Sequence, residues 1–148
     1  MNRRQAMSAL GALPLAWALP VHAIPTIEVF KSASCGCCTA WAKHLQAAGF
    51  AVKSTNVADP GSVRASHGMP DRYASCHTAL VDNYVVEGHV PAAEVSSLLA
   101  QRPAALGLAV PGMPAGAPGM EGGRSQPFDV VLVERGGAAR VFAHYAAR

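Results

Sequence analysis

Residues 26–49 read TIEVFKSASCGCCTAWAKHLQAAG, and their pattern changes character twice. Thr26-Ile27-Glu28-Val29-Phe30 alternates apolar and polar side chains as a strand does. Lys31-Ser32-Ala33-Ser34 then leads into Cys35-Gly36-Cys37-Cys38. From Cys37 onward apolar residues recur at helical spacing, at Trp41, Leu45 and Ala48, and Gly49 supplies a C-terminal stop. Cys35 therefore falls in a loop, and Cys37 and Cys38 fall in the first helical turn.

Outward from this unit, Phe50–Val57 reads as a second strand. Asp59–Ser75 is polar and carries Gly61, Gly68 and Pro70, which predicts a loop with at most a short helix. Cys76-His77 precedes Thr78–Val81, and Asp82-Asn83 turns the chain into Tyr84–Gly88, a hairpin pattern. Pro91 opens a helix in which Val95, Leu98 and Leu99 share a face; Arg102 lies in its last turn and Pro103 beyond. Residues 107–127 hold so much Gly and Pro that a loop is expected, with Met113 and Met120 inside it. Phe128–Val133 and Ala139–Tyr145 follow as two strands around Gly136-Gly137. This order predicts an α/β protein of the thioredoxin-like plan with an additional C-terminal β-hairpin.

The chain has 148 residues, 12 Lys and Arg against 9 Asp and Glu, and no basic run. One domain is the natural size reading, and a grip on nucleic acid through many phosphates is not expected. At the N-terminus Arg3 and Arg4 precede an uncharged apolar stretch from Ala6 to Ala18, and Val21-His22-Ala23 offers small residues for cleavage. The stretch is broken by Pro14 and Pro20 and is shorter than the roughly 20 residues that span a bilayer. Residues 1–23 are thus expected to be a signal peptide cleaved near Ala23, with residues 24–148 exported to the periplasm as a single domain without a membrane span. The Arg pair also fits twin-arginine export, although Gln5-Ala6-Met7 continues that pattern poorly, so the route stays open.

Thiols in an oxidising compartment persist when disulfide-bonded, catalytic or bound to metal. Three of the four cysteines lie within four positions and the last stands alone at Cys76. Cys35 and Cys38 have the C-x-x-C spacing of thioredoxin-like proteins, at a helix N-terminus that lowers thiol pKa. In the same plan Cys76-His77 faces that loop, so the distant thiol converges on the cluster. Two structural disulfides fit poorly, because Cys37 and Cys38 are adjacent and other pairings within the loop are strained. A thiol-disulfide oxidoreductase would use Cys35 and Cys38, but gains nothing from Cys37 or from Cys76 in the place of a cis-proline. Metal binding uses Cys35, Cys37, Cys38, Cys76 and His77 together, since soft thiolates select Cu(I) or Zn and imidazole suits both. Neighbouring thiolates that point apart on a helix bridge several ions better than they hold one. A multinuclear Cu(I) site follows more naturally than one tetrahedral Zn.

Other histidines rank lower. His44 lies seven residues after Cys37, about 10 Å along a helix, so it cannot share an ion with it and reads as packing or capping. His89 reaches the site only if the hairpin end approaches it. Met113 and Met120 are soft donors whose commoner use is to tuck a loop onto a core. Trp41 reads as core.

Ser34-Cys35-Gly36-Cys37-Cys38 with Trp41 and His44-Leu45, Ser75-Cys76-His77-Thr78-Ala79, Val86-Glu87-Gly88-His89-Val90-Pro91, and the Gly107–Pro114 and Pro118–Glu121 segments resemble the CopG-type periplasmic metal-binding proteins of bacterial copper-resistance operons. These are distinct from the DNA-binding repressors of the same name. The resemblance spans nearly all of residues 26–145. It implies a thioredoxin-like fold, copper held by the four cysteines and the neighbouring histidine, and a role in copper tolerance that extends to Cu(I)/Cu(II) conversion. Copper ions, and other periplasmic copper-handling proteins, are the partners it implies.

Overall fold

A computed structural model describes residues 24–148; the expected signal segment, residues 1–23, lies outside them. Strand β1 (Ile27–Lys31) buries alternate residues Ile27, Val29 and Lys31, and helix α1 (Gly36–Ala47) follows the cysteine loop. The buried stripe of α1 is Cys38, Trp41, Ala42 and Leu45. Cys37 is only half-buried and Ala48 is exposed, so the helix is turned slightly from the face its apolar spacing suggests. The difference arises because Cys38, not Cys37, continues the i, i+3, i+7 row through Trp41 and Leu45.

Strand β2 (Val52–Asn56) lies parallel to β1. Within the polar stretch that follows, Asp59 caps helix α2 (Pro60–Ser66): its side chain accepts a hydrogen bond from Gly61 N at 2.8 Å, and Pro60 occupies the first helical position. A single 3-10 turn, Asp71–Tyr73, leads to strand β3 (His77–Val81), which pairs antiparallel with β1 and places His77 opposite Lys31. Asp82, with φ of 54°, makes the tight turn into strand β4 (Tyr84–Glu87). Helix α3 (Ala92–Gln101) buries Ala92, Val95 and Leu98.

The loop expected from residue 107 begins three residues later. Gly107–Ala109 forms strand β5, parallel to β4 and buried throughout. Glycine-rich composition hid it, yet the glycine is what permits the strand: a Cβ at Gly107 would collide with the Val85 carbonyl. Strands β6 (Phe128–Val133) and β7 (Ala139–Tyr145) pair antiparallel with a register shift at Val130/Val131. The seven strands form one sheet in the order β2-β1-β3-β4-β5-β6-β7. Its main core joins Ile27, Val29, Trp41, Leu45, Val86 and Leu108 with neighbours from β6. No helix among the described residues is long and apolar enough to cross a membrane.

Candidate metal centre

Two central strands and one helix terminus aim their ends at the same point. Cys35 is the N-cap of α1, and its sulfur accepts a hydrogen bond from Cys38 N at 3.3 Å. Cys76 stands immediately before β3, whose pairing with β1 carries it under the cysteine loop. Cys37 Sγ lies 3.7 Å from Cys76 Sγ and 3.6 Å from Cys35 Sγ, and Cys38 Sγ lies 3.4 Å from Cys76 Sγ. All four sulfurs fall within 4.8 Å of one another. Cys35 and Cys38 are joined as a disulfide with Cα atoms 5.4 Å apart, while Cys37 and Cys76 carry free thiols.

Cys76 also belongs to a second group. His77 Nδ1 lies 3.5 Å and His89 Nε2 3.2 Å from its sulfur, and these three ligand atoms form a cluster within 4.8 Å. The structure thus brings together all five residues expected at the site and adds His89, which sequence reasoning had left open. The signal for it was indirect: His89 sits just past the end of β4, the strand adjacent to β3.

Each imidazole is oriented from behind. His89 Nδ1 donates to the Pro118 carbonyl at 2.7 Å, which leaves the Nε2 lone pair facing Cys76. His77 is fully buried, its ring packed against Trp41 with centroids 4.3 Å apart and planes tilted by 30°. Trp41 is held by donating Nε1–H to the Val90 carbonyl at 2.8 Å. Among the described residues, His77 Nε2 is a buried nitrogen with no hydrogen-bond partner. Burial lowers the pKa of His77 to about 3, with the neighbouring His89 adding to the effect, and burial also pushes His89 down. Both rings are therefore neutral near pH 7, the form that binds metals. Burial and then the adjacent Cys37 raise the Cys76 thiol to about 12, so without a cation it keeps its proton and donates it to His89 Nε2. A metal ion held there would take the place of that proton and favour the thiolate.

The Gly- and Pro-rich loop closes over this group. Gly119, at φ of +83°, packs so tightly that a Cβ would stand 2.8 Å from both Cys37 O and Trp41 N. Glu121 Oε1 accepts from Gly119 N at 2.9 Å and fixes the turn. Met120 N donates to Ala117 O at 2.8 Å, so its backbone shapes the loop, while Met113 is 37% exposed at the surface. His44 Nε2 accepts from Ala92 N at 3.0 Å and so caps α3, the second of the two roles, packing or capping, that its spacing left open. His144 pairs with Asp129 across β6 and β7 at 2.6 Å, away from the site.

Two solved structures of copper resistance protein CopG, forms 2 and 1, superpose on this chain with a TM-score of 0.79 and 46% sequence identity. They cover 83% and 84% of this chain, and 99% of each of those chains is matched. The chain belongs to the CopG family of copper resistance proteins. A family described as a protein of unknown function, DUF411, matches residues 73–120. That span takes in Cys76, His77, His89 and the covering loop as far as Met120, but not Cys35, Cys37 or Cys38. No curated protein matches the chain.

Proposed function

We propose that this CopG-family protein binds Cu(I) through Cys35, Cys37, Cys38, Cys76 and His77, with His89 joining the shell, and contributes to copper resistance. The observation that carries the reading is Cys76, whose sulfur belongs at once to the four-cysteine group and to the imidazole group. Thiolates and neutral imidazoles are the donors that Cu(I) favours, and a sulfur shared between two groups suits an ion-bridging role. Reading the site as multinuclear rests on the same sharing. Use of all four sulfurs as thiolates requires the Cys35–Cys38 bond to be reduced, with two electrons added. In reverse, that thiolate pair can pass one electron to each of two Cu(II) ions and become the disulfide, which is the Cu(I)/Cu(II) conversion included in this reading.

The strand order β2-β1-β3-β4, with β2 parallel and β3 antiparallel to β1, supports a thioredoxin-like core to which β5, β6 and β7 are appended. We take residues 1–23 as a cleaved signal peptide, residues 24–148 as one periplasmic domain, and other copper-handling proteins there as its exchange partners.

The Cys35–Cys38 disulfide at the start of α1 favours a second reading, a thiol-disulfide oxidoreductase. One experiment separates the two. The reduced protein is titrated anaerobically with Cu(I) against a chromogenic chelator, alongside the Cys37→Ser/Cys76→Ser variant. Copper binding should be tight in the first and lost in the second. Copper binding that is absent, or unchanged in the variant, together with disulfide exchange requiring only Cys35 and Cys38, would replace this reading with the oxidoreductase.

A further inference from the structure

Strand β4 reads Tyr84-Val85-Val86-Glu87, a carboxylate at the end of an apolar run. Glu87 is 0% exposed. A buried carboxylate is costly unless its oxygens are hydrogen-bonded or paired, and here each has a partner. Oε1 accepts from Ser75 N at 2.8 Å and lies 2.9 Å from Ser75 Oγ, whose one proton it shares with His77 O at 2.8 Å, and Oε2 accepts from Thr78 Oγ1 at 2.7 Å. The residues so gripped flank Cys76 and His77 on either side. The grip reaches further, because Ser75 Oγ accepts from His77 N at 3.4 Å.

The countercharge arrives from another element. Arg64 of α2 places a guanidinium nitrogen 3.8 Å from Glu87 Oε1 while another lies 2.9 Å from Asp71. The side chain of Arg64 is 13% exposed, so the pairing with Glu87 is largely out of water. Thr78 Oγ1 also lies 3.4 Å from the carbonyl of Pro60, the first residue of α2. Each oxygen of Glu87 has a partner, and its polar side-chain contacts run to the segment that carries Cys76 and His77 or to its counterion.

We propose that Glu87 is a positioning residue for the metal centre, a carboxylate clamp that sets the Cys76-His77 step against Cys37 and Cys38. This rests on the copper-binding reading above for its consequence, though not for the clamp itself. Without the clamp, the segment between the 3-10 turn and β3 loses its side-chain anchor, and Cys76 must be ordered each time an ion binds. Loss of a residue that orients ligands typically lowers metal affinity about 10–100-fold. Gln at this position keeps one oxygen for Ser75, and its amide can donate to the Thr78 hydroxyl, which then accepts.

Two measurements on wild type, Glu87→Ala, Glu87→Gln and Thr78→Val test this. Competition with a chromogenic chelator gives Cu(I) affinity of the reduced proteins, and hydrogen exchange of the metal-free proteins gives amide protection at residues 75–78. Glu87→Ala should bind Cu(I) about 10–100-fold more weakly at unchanged stoichiometry. It should exchange faster at Ser75 and His77 while β1 keeps its protection. Thr78→Val should follow in the same direction, and Glu87→Gln should restore most of the affinity. Should Glu87→Ala fail to fold, the Thr78→Val and Glu87→Gln pair decides. Wild-type affinity and protection in the variants that fold, or faster exchange spread evenly over the whole sheet, would overturn the clamp. Failure of wild type to bind Cu(I) would overturn the copper reading instead, and the exchange data would still decide whether Glu87 holds the segment.

Discussion

Cys76 joins two ligand groups that share no other residue, Cys35, Cys37 and Cys38 standing with it in one and His77 and His89 in the other. Replacing it with Ser keeps the size but removes the soft bridging atom. Cys76→Ser should weaken Cu(I) binding by more than the roughly 100-fold upper range for residues that only orient ligands, measured by chelator competition. Trp41 acts on the same site without offering a donor, because it packs on His77 and bonds to Val90 O. Trp41→Phe leaves that carbonyl without its partner and should lower stability by about 1–3 kcal/mol in denaturant unfolding. Residue types and spacing made the cysteines and His77 legible as one set. His89 was legible only indirectly, through its place just past β4, because the bond that orients its ring comes from Pro118, 29 positions away. Glu87 had a signal that went unused, a charged residue closing an apolar strand.

At the scale of elements, the covering loop and the helix caps decide how firmly the site is held. Gly119→Ala should strain a left-handed backbone and push the loop away from Cys37 O and Trp41 N, at a cost of about 1–3 kcal/mol. Limited proteolysis should then cut residues 112–123 faster, with β1 and α1 intact. His44→Ala removes the acceptor for Ala92 N at the start of α3, and a lost cap costs about 0.5–2 kcal/mol, read as a lower denaturation midpoint. Periodicity sufficed for β1, α1 and α3, because each buries one face of a regular repeat, while the β3–β4 turn, β6 and β7 were marked by runs of β-branched and aromatic residues around Asp82-Asn83 and Gly136-Gly137. Helix α2 escaped assignment although Asp59-Pro60 is a cap followed by a first-turn proline, because none of its residues is buried and it has no apolar stripe to show. Strand β5 escaped because a three-residue strand buried on both faces carries no alternation, and its glycine reads as punctuation.

For the whole molecule, the sheet explains why distant residues meet. With β3 beside β1 and β4 beside β3, the residues before β3 and after β4 arrive together at the N-terminus of α1. The element order, read as a thioredoxin-like plan, led to the expectation that Cys76 and His77 face the cysteine loop. What order could not convey is the oxidation state of the thiols, and the Cys35–Cys38 disulfide makes that state part of the account. Protein kept oxidised should retain markedly less Cu(I) than reduced protein, since two of its four sulfurs are withdrawn as thiolates, and elemental analysis of both forms after desalting checks it. The central claim, that copper sits among these thiolates and imidazoles, is tested most directly by copper X-ray absorption on the reduced, Cu(I)-loaded protein. A first shell dominated by sulfur, with an imidazole nitrogen contribution that falls on replacing His77 and His89, is the predicted result; a shell of nitrogen and oxygen alone, unchanged in Cys37→Ser/Cys76→Ser, would contradict it.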